Sequence, residues 1–229
     1  MLIGGFQRFS LIDYPGKICA IVFTQGCNFR CPYCHNPELV DPKLFSHPIP
    51  EEDLFAFLET RRGKLDAVVI TGGEPTLQPD LIDFISKLKS MNYLVKLDTN
   101  GSNPRILREL IELKIVDYLA MDVKAPLERY REITNSKVDP AKIKQSIELI
   151  MQSGLDYEFR TTVVKLQLGK ADILEIGKQI RGSKRYVLQK FVPTKVLDQK
   201  YLEGVIYTDE DLECLRDAVK SYVVECVVR

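Results

Sequence analysis

The chain has no excess of either charge: Lys and Arg number 32, and Asp and Glu also number 32. A protein that holds a nucleic-acid backbone needs a basic surface, so no nucleic-acid partner is expected. No run of about 18 apolar residues occurs, so no segment is expected to cross a membrane. The opening "MLIGGFQRFSLIDYPGK" lacks a charged stretch followed by an apolar one and does not read as a secretory signal. A cytoplasmic protein is therefore expected, in a compartment where disulfides are rare. There is no internal repeat, no low-complexity tract and no linker long enough to divide domains, which predicts one domain over all 229 residues. Histidine is also scarce, with two in the chain. The length is ample for a core, so the six cysteines are not needed as staples, and any that cluster point to metal binding or catalysis.

What is present is an alternation of strand and helix signals. Apolar runs predict strands over 17–24, 66–71, 93–99, 116–123, 157–164 and 185–191, and a closing strand over 222–228. Helices are predicted after Pro50, Pro79, Asn103-Pro104 and Asp139-Pro140, over 171–181, and after Thr208, where three acids follow the cap. Six βα units imply a parallel sheet with right-handed crossovers. The expected fold is an α/β, six-stranded parallel partial (β/α)6 barrel. It would comprise an N-terminal extension (1–16), a core over about 17–192, and a C-terminal helix and strand over about 205–229. The segments "CNFRCPYCHNP", "GGEP", "DTNG" and "MDVKAP" each follow a predicted strand, and ligands collect at that rim of parallel architectures.

The stretch "CNFRCPYCHNP" (27–37) admits several chemistries. Cys31-Pro-Tyr-Cys34-His35 has the form of a haem-attachment site, but that would leave Cys27 unexplained. A zinc site over Cys27, Cys31, Cys34 and His35 would need sequence neighbours to ligate one small ion, and His47 lies in a distant loop. A dithiol pair at a strand–helix junction would gain a low thiolate pKa, as in the similar glutaredoxin site, yet it too gives Cys27 no role. An iron–sulfur cluster uses all three thiols and leaves one iron open. Cys19 falls inside a strand and reads as a core residue, and Cys214 and Cys226 read as packing residues.

Cys27, Cys31, Tyr33 and Cys34, spaced Cys-x-x-x-Cys-x-aromatic-Cys, resemble the signature of the radical S-adenosylmethionine (SAM) superfamily. The resemblance implies a [4Fe–4S] cluster whose open iron is chelated by SAM; one electron from the reduced cluster then splits SAM into methionine and a 5′-deoxyadenosyl radical. Residues 10–39, including "CHNP", further resemble the glycyl-radical enzyme activases, specifically the activating proteins of anaerobic ribonucleoside-triphosphate reductase.

That resemblance assigns expectations to individual residues. Gly72, Gly73 and Glu74 would receive the amino group of SAM. Asp98, Thr99 and Asp122 would lie beside its carboxylate with a monovalent cation near Asp98 and Asp122. Lys124 and Arg160 would contact SAM, and Gln189 would reach it from the sixth strand. No catalytic residue is expected beyond the cluster and SAM. Val192 stands where some activases carry a histidine. No cysteine lies between Cys34 and Cys214, so the ferredoxin-like insert of some activases is missing. The implied partners are a glycyl-radical enzyme that inserts a loop, with anaerobic ribonucleotide reductase expected, and a reduced flavodoxin or ferredoxin as electron donor. The rivals are a radical SAM enzyme for a small molecule, such as a 7-carboxy-7-deazaguanine synthase, and a non-catalytic iron–sulfur electron carrier with no use for an open iron.

Overall fold

In a computed structural model, which describes residues 1–229, eight strands follow one another in chain order within one sheet, β1 to β8. They are β1 (Ile3–Ser10), β2 (Cys19–Thr24), β3 (Ala67–Gly72), β4 (Leu94–Thr99), β5 (Tyr118–Asp122), β6 (Asp156–Val163), β7 (Arg185–Lys190) and β8 (Glu225–Val228). The helices are α1 (Pro37–Val40), α2 (Glu51–Glu59), α3 (Leu81–Ser90), α4 (Pro104–Glu112), α5 (Tyr130–Thr134), α6 (Pro140–Gln152), α7 (Lys170–Gln179) and α8 (Asp209–Val219). No helix is long and apolar enough to cross a membrane.

The sheet has two more strands than the six expected. β8 was foreseen as a closing strand and pairs parallel to β7. β1 lies inside the expected N-terminal extension and runs antiparallel to β2, with Ile3 opposite Thr24 and Ser10 opposite Cys19. As an edge strand it is half exposed and carries Gln7 and Arg8, so it shows neither an apolar run nor clean alternation. β2 and β3 are parallel, as are β3 and β4, and β6 and β7. β2 and β3 read as continuous apolar runs because strands of a parallel sheet are covered on both faces.

The chain divides into two compact units and passes between them five times, the last time inside β5, between Leu119 and Ala120. The first unit holds Met1–Asn28, Glu38–Thr99 and Arg105–Leu119. Its helices α2 and α3 bury Leu54, Phe55 and Leu58, and Leu81, Phe84, Ile85 and Leu88. The Phe55 and Phe84 rings meet at 5.1 Å. The second unit holds Phe29–Pro37, Asn100–Pro104 and Ala120–Arg229. It buries Ile143, Ile147 and Ile150 of α6, Ile173 and Ile176 of α7, and Leu212, Leu215 and Val219 of α8. Cys214 lies off that stripe of α8 and is exposed, so it is not the packing residue expected. Cys226 is half-buried, and Cys19 is buried in β2 with its thiol 3.7 Å from the Ser10 carbonyl.

The expected caps form. Asp139 accepts from the Ala141 amide at 3.0 Å and Pro140 opens α6. Thr208 and Asp211 bond each other's amides at 3.1 Å, a reciprocal box that starts α8. Thr208→Ala is expected to cost about 1 kcal/mol, read as a lower urea midpoint at unchanged slope.

Candidate functional site

The end of β3 is fastened to the end of β2 through backbone. Gly73 N donates to Thr24 O, and Glu74 N donates to Gly26 O, both at 2.8 Å. Gly26 N in turn donates to Leu39 O at 2.8 Å, and Gln78 Nε2 donates to Gln25 O at 2.8 Å. Residues 25 and 26, immediately before Cys27, are thus held from several directions. A Cβ on Gly73 would sit 2.1 Å from Gly26 O. Gly72 has φ +107°, and a Cβ there would meet Thr24 N at 2.5 Å. Both positions therefore need glycine for chain packing itself: "GGEP" is what aims the start of the cysteine loop.

Glu74 is fully buried (0% exposed). Its Oε1 accepts from Thr76 N at 3.1 Å, Thr76 Oγ1 at 2.5 Å and Thr99 Oγ1 at 2.8 Å. Glu74 and Thr99, predicted separately, therefore meet, and the carboxylate ties the β3 turn to the end of β4. One residue pair here had no place in the sequence reading. Lys96 stands two residues before Asp98 on β4, on the same face, and its Nζ is 2.6 Å from Asp98 Oδ1. Its signal was a lone charge inside the apolar run of a buried strand.

In the second unit the part of the cysteine loop from Phe29 to Pro37 holds a tight turn anchored by aromatic rings. Cys34 N donates to Cys31 O at 3.0 Å, closing a turn with Pro32 at its second position. This brings Cys31 and Cys34 onto one turn. The Phe29 ring meets Tyr130 edge-on at 6.2 Å, and Arg30 N donates to Thr134 O at 3.0 Å. Tyr33 is buried with its ring edge-on to Phe191 at 6.4 Å. His35 stacks on Phe191 at 5.2 Å and its Nε2 lies 2.9 Å from Val192 O. Asp198 N donates to Pro32 O at 2.9 Å. Residues 191–198 are thus a platform for the loop, and Val192, where a histidine was noted as missing, contributes its carbonyl.

Asp122, Lys124 and Arg160 form one group. Asp122 Oδ1 accepts from Arg160 Nε at 2.9 Å, and Oδ2 from Lys124 Nζ at 3.3 Å. The Tyr130 hydroxyl donates to Asp122 O and accepts from Lys124 N, both at 3.3 Å. Burial alone would raise the Asp122 carboxyl; the Arg160 and Lys124 charges outweigh it and hold it at about 2. Burial pushes the Cys31 thiol up to about 11, against the nearby Lys124 charge. Gln189 pairs with Thr162 in the β6–β7 register, which puts it on the sheet face of Arg160. Glu158 shares that face and is buried, paired with Arg229 at 3.3 Å, another site the sequence did not disclose.

None of the six cysteines is joined in a disulfide. No three His, Cys, Asp or Glu side chains converge closely enough to hold one metal ion. A four-iron cluster spaces its thiolates further apart, since each binds a different iron. Three thiol donors on one loop, with the Lys124 charge near Cys31, fit such a cluster with SAM. The carboxylates of Asp98 and Asp122, already paired with Lys96, Arg160 and Lys124, do not fit a monovalent cation.

Gly73→Ala should displace Gly26 and cost about 1–3 kcal/mol of stability, while Gly5→Ala, whose nearest neighbour would be an ordinary 3.4 Å away, should stay within about 0.5 kcal/mol in the same urea titration. Asp122 ionises more easily folded than unfolded, so its pairing stabilises above its ordinary value of 3.8 and is lost as pH falls through about 2. The stability gap between wild type and Asp122→Asn should hold constant between about pH 5 and 8 and shrink below about pH 4.

Comparison with known proteins gives the family. The sequence profile of the Radical SAM superfamily matches residues 21–178. A Methanocaldococcus jannaschii protein, provisionally named a glycyl-radical enzyme activating enzyme, is 34% identical over 100% of this chain and 95% of its own length. The pyruvate formate-lyase-activating enzyme of Clostridium pasteurianum is 33% identical over 53% of this chain and 52% of its own. A 7-carboxy-7-deazaguanine synthase of Thermococcus kodakarensis is 24% identical over 82% of this chain and 80% of its own. The crystal structure of Streptococcus suis SuiB bound to S-adenosylmethionine superposes with a TM-score of 0.68 at 16% identity, over 91% of this chain and 49% of that one, which shows a shared fold. The chain belongs to the radical SAM superfamily, in the branch of the glycyl-radical enzyme activating enzymes.

Proposed function

We propose that this enzyme installs a glycyl radical on a large partner, the anaerobic ribonucleoside-triphosphate reductase. The observation that carries the activase reading is the similarity to an activating enzyme over the whole of this chain and nearly the whole of that relative. The choice of partner rests on the resemblance of residues 10–39, including "CHNP", to the reductase activating proteins. The superfamily match includes parts of both compact units, which supports one catalytic domain with a partial (β/α)6 barrel core. A cytoplasmic setting and a flavodoxin or ferredoxin donor belong to the same reading.

The roles fall to this chain's own residues as follows. Cys27, Cys31 and Cys34 hold the cluster as thiolates and leave one iron for SAM. When bound, the cluster would supply the electron for reductive cleavage of SAM, the chemistry needed to remove hydrogen from a glycine Cα. Gly72, Gly73 and Glu74 act from the end of β3: the glycines permit close backbone approach, and Glu74 stiffens the turn that receives the amino group. Asp98, Thr99, Lys124, Arg160 and Gln189 contact SAM, with Asp122 orienting Arg160 and Lys124 by pairing with both. Tyr33, locked against Phe191, shields the cysteine turn from water.

Anaerobic reconstitution should give about four irons per chain. Cys27→Ala, Cys31→Ala or Cys34→Ala should abolish the cluster, and Cys214→Ala, on the exposed side of α8, should leave it intact. Mixing reduced protein, SAM and the anaerobic reductase of the same organism should yield a glycyl radical by electron paramagnetic resonance. No radical on any glycyl-radical enzyme of that organism, alongside rapid turnover of a deazapurine precursor, would move the protein to the small-molecule class.

A further inference from the structure

The activase resemblance puts a monovalent cation near Asp98 and Asp122, but in this chain both carboxylates already face cations of the protein's own. On β4 the Lys96 ammonium lies 2.6 Å from Asp98 Oδ1. Lys96 is 2% exposed, and its Nζ stands 5.9 Å from the centroid of the Tyr118 ring, whose face adds a weaker attraction. Asp122 has each oxygen engaged, Oδ1 by Arg160 and Oδ2 by Lys124. An additional ion at Asp98 Oδ1 would meet the fixed Lys96 charge in contact, and Coulomb repulsion between like charges is strong away from bulk water.

Stability alone does not account for the Lys96–Asp98 pair. Two charges taken out of water repay their desolvation only with good geometry, and an apolar pair of similar volume is often as stable or more so. A lysine inside a buried strand is also rare without a reason to keep its charge there.

We propose that Lys96 takes the place of the monovalent cation: its ammonium neutralises Asp98 from within β4, and the protein binds SAM without potassium or sodium. The inference rests on reading Asp98 as a SAM-site residue and does not depend on which partner is activated. Lys96 is a positioning residue, since it acts on SAM through Asp98.

The test is a comparison of potassium, sodium and choline chlorides at a matched ionic strength of about 0.1 M, which holds general screening constant. The cluster-free chain should melt at one temperature in all three salts, because a specifically bound ion would stabilise it by mass action. Lys96→Met, which removes the ammonium beside Asp98 Oδ1, should melt lower in choline than in potassium. In anaerobically loaded protein the wild-type dissociation constant for SAM should change less than about twofold on replacing potassium by choline. That of Lys96→Met should weaken about tenfold in choline and recover in potassium. If that variant does not fold, thallium titration of the wild type, followed by thallium-205 resonance, decides alone: no specifically bound thallium is expected. A bound thallium, or a wild type that loses about tenfold or more of its SAM affinity in choline, overturns the role given to Lys96. No SAM binding in any salt overturns the SAM-site reading beneath it; SAM binding that requires potassium overturns only this inference.

Discussion

A charge removed from water must meet an opposite charge or a set of hydrogen bonds, or the fold does not hold it. The ends of β3, β4 and β5 are organised by that constraint. Glu74, fully buried, is satisfied by two hydroxyls and an amide from Thr76 and Thr99. Asp98 is matched by Lys96, and Asp122 by Arg160 and Lys124. Each arrangement fixes a loop at the point where a strand ends, and the positions proposed to contact SAM lie on the same loops. Rigid groups cost little to organise when a ligand arrives, which is how a site discriminates by geometry.

The cysteine loop obeys a different constraint. As the proposed cluster ligands its thiols need a fixed separation, but a loop has few backbone bonds of its own. Stiffness comes from outside: backbone clasps at Gly26 before Cys27, and ring contacts from Tyr33 and His35 to Phe191 after it. The glycines of "GGEP" take part in this clasp, because only a residue without Cβ lets Gly26 O approach Gly73. A motif that reads as ligand contact therefore has a second physical reason for its composition.

Much of this was legible in the residue string, for reasons that differ by element. β2 and β3 are buried on both faces, so they stand out as apolar runs, and α6 and α8 carry their caps in plain view at Asp139 and Thr208. The clustering of Cys27, Cys31 and Cys34 is plain from spacing, while their reading as cluster ligands rests on the family resemblance. β1 was not legible, because an edge strand need not alternate and Gly4-Gly5 breaks the pattern. Lys96 and Glu158 went unseen because their importance lies in burial and in partners, Asp98 for one and Arg229 for the other. Cys214 was misplaced for a related reason: helical phase decides whether a residue joins the buried stripe, and composition does not. His35 was visible as part of "CHNP", yet its use as an anchor depends on residues more than a hundred positions away.

The central claim is that a hydrogen atom passes from a glycine Cα of a protein partner to the deoxyadenosyl group. The most direct measurement uses the anaerobic reductase prepared with glycine deuterated at Cα, mixed with the reduced, cluster-loaded protein and unlabelled SAM. Mass spectrometry of the 5′-deoxyadenosine should show one deuterium gained, in step with the radical formed on the partner. Deoxyadenosine that stays unlabelled while the partner is present, with deuterium instead taken up from a labelled small molecule, would contradict the account.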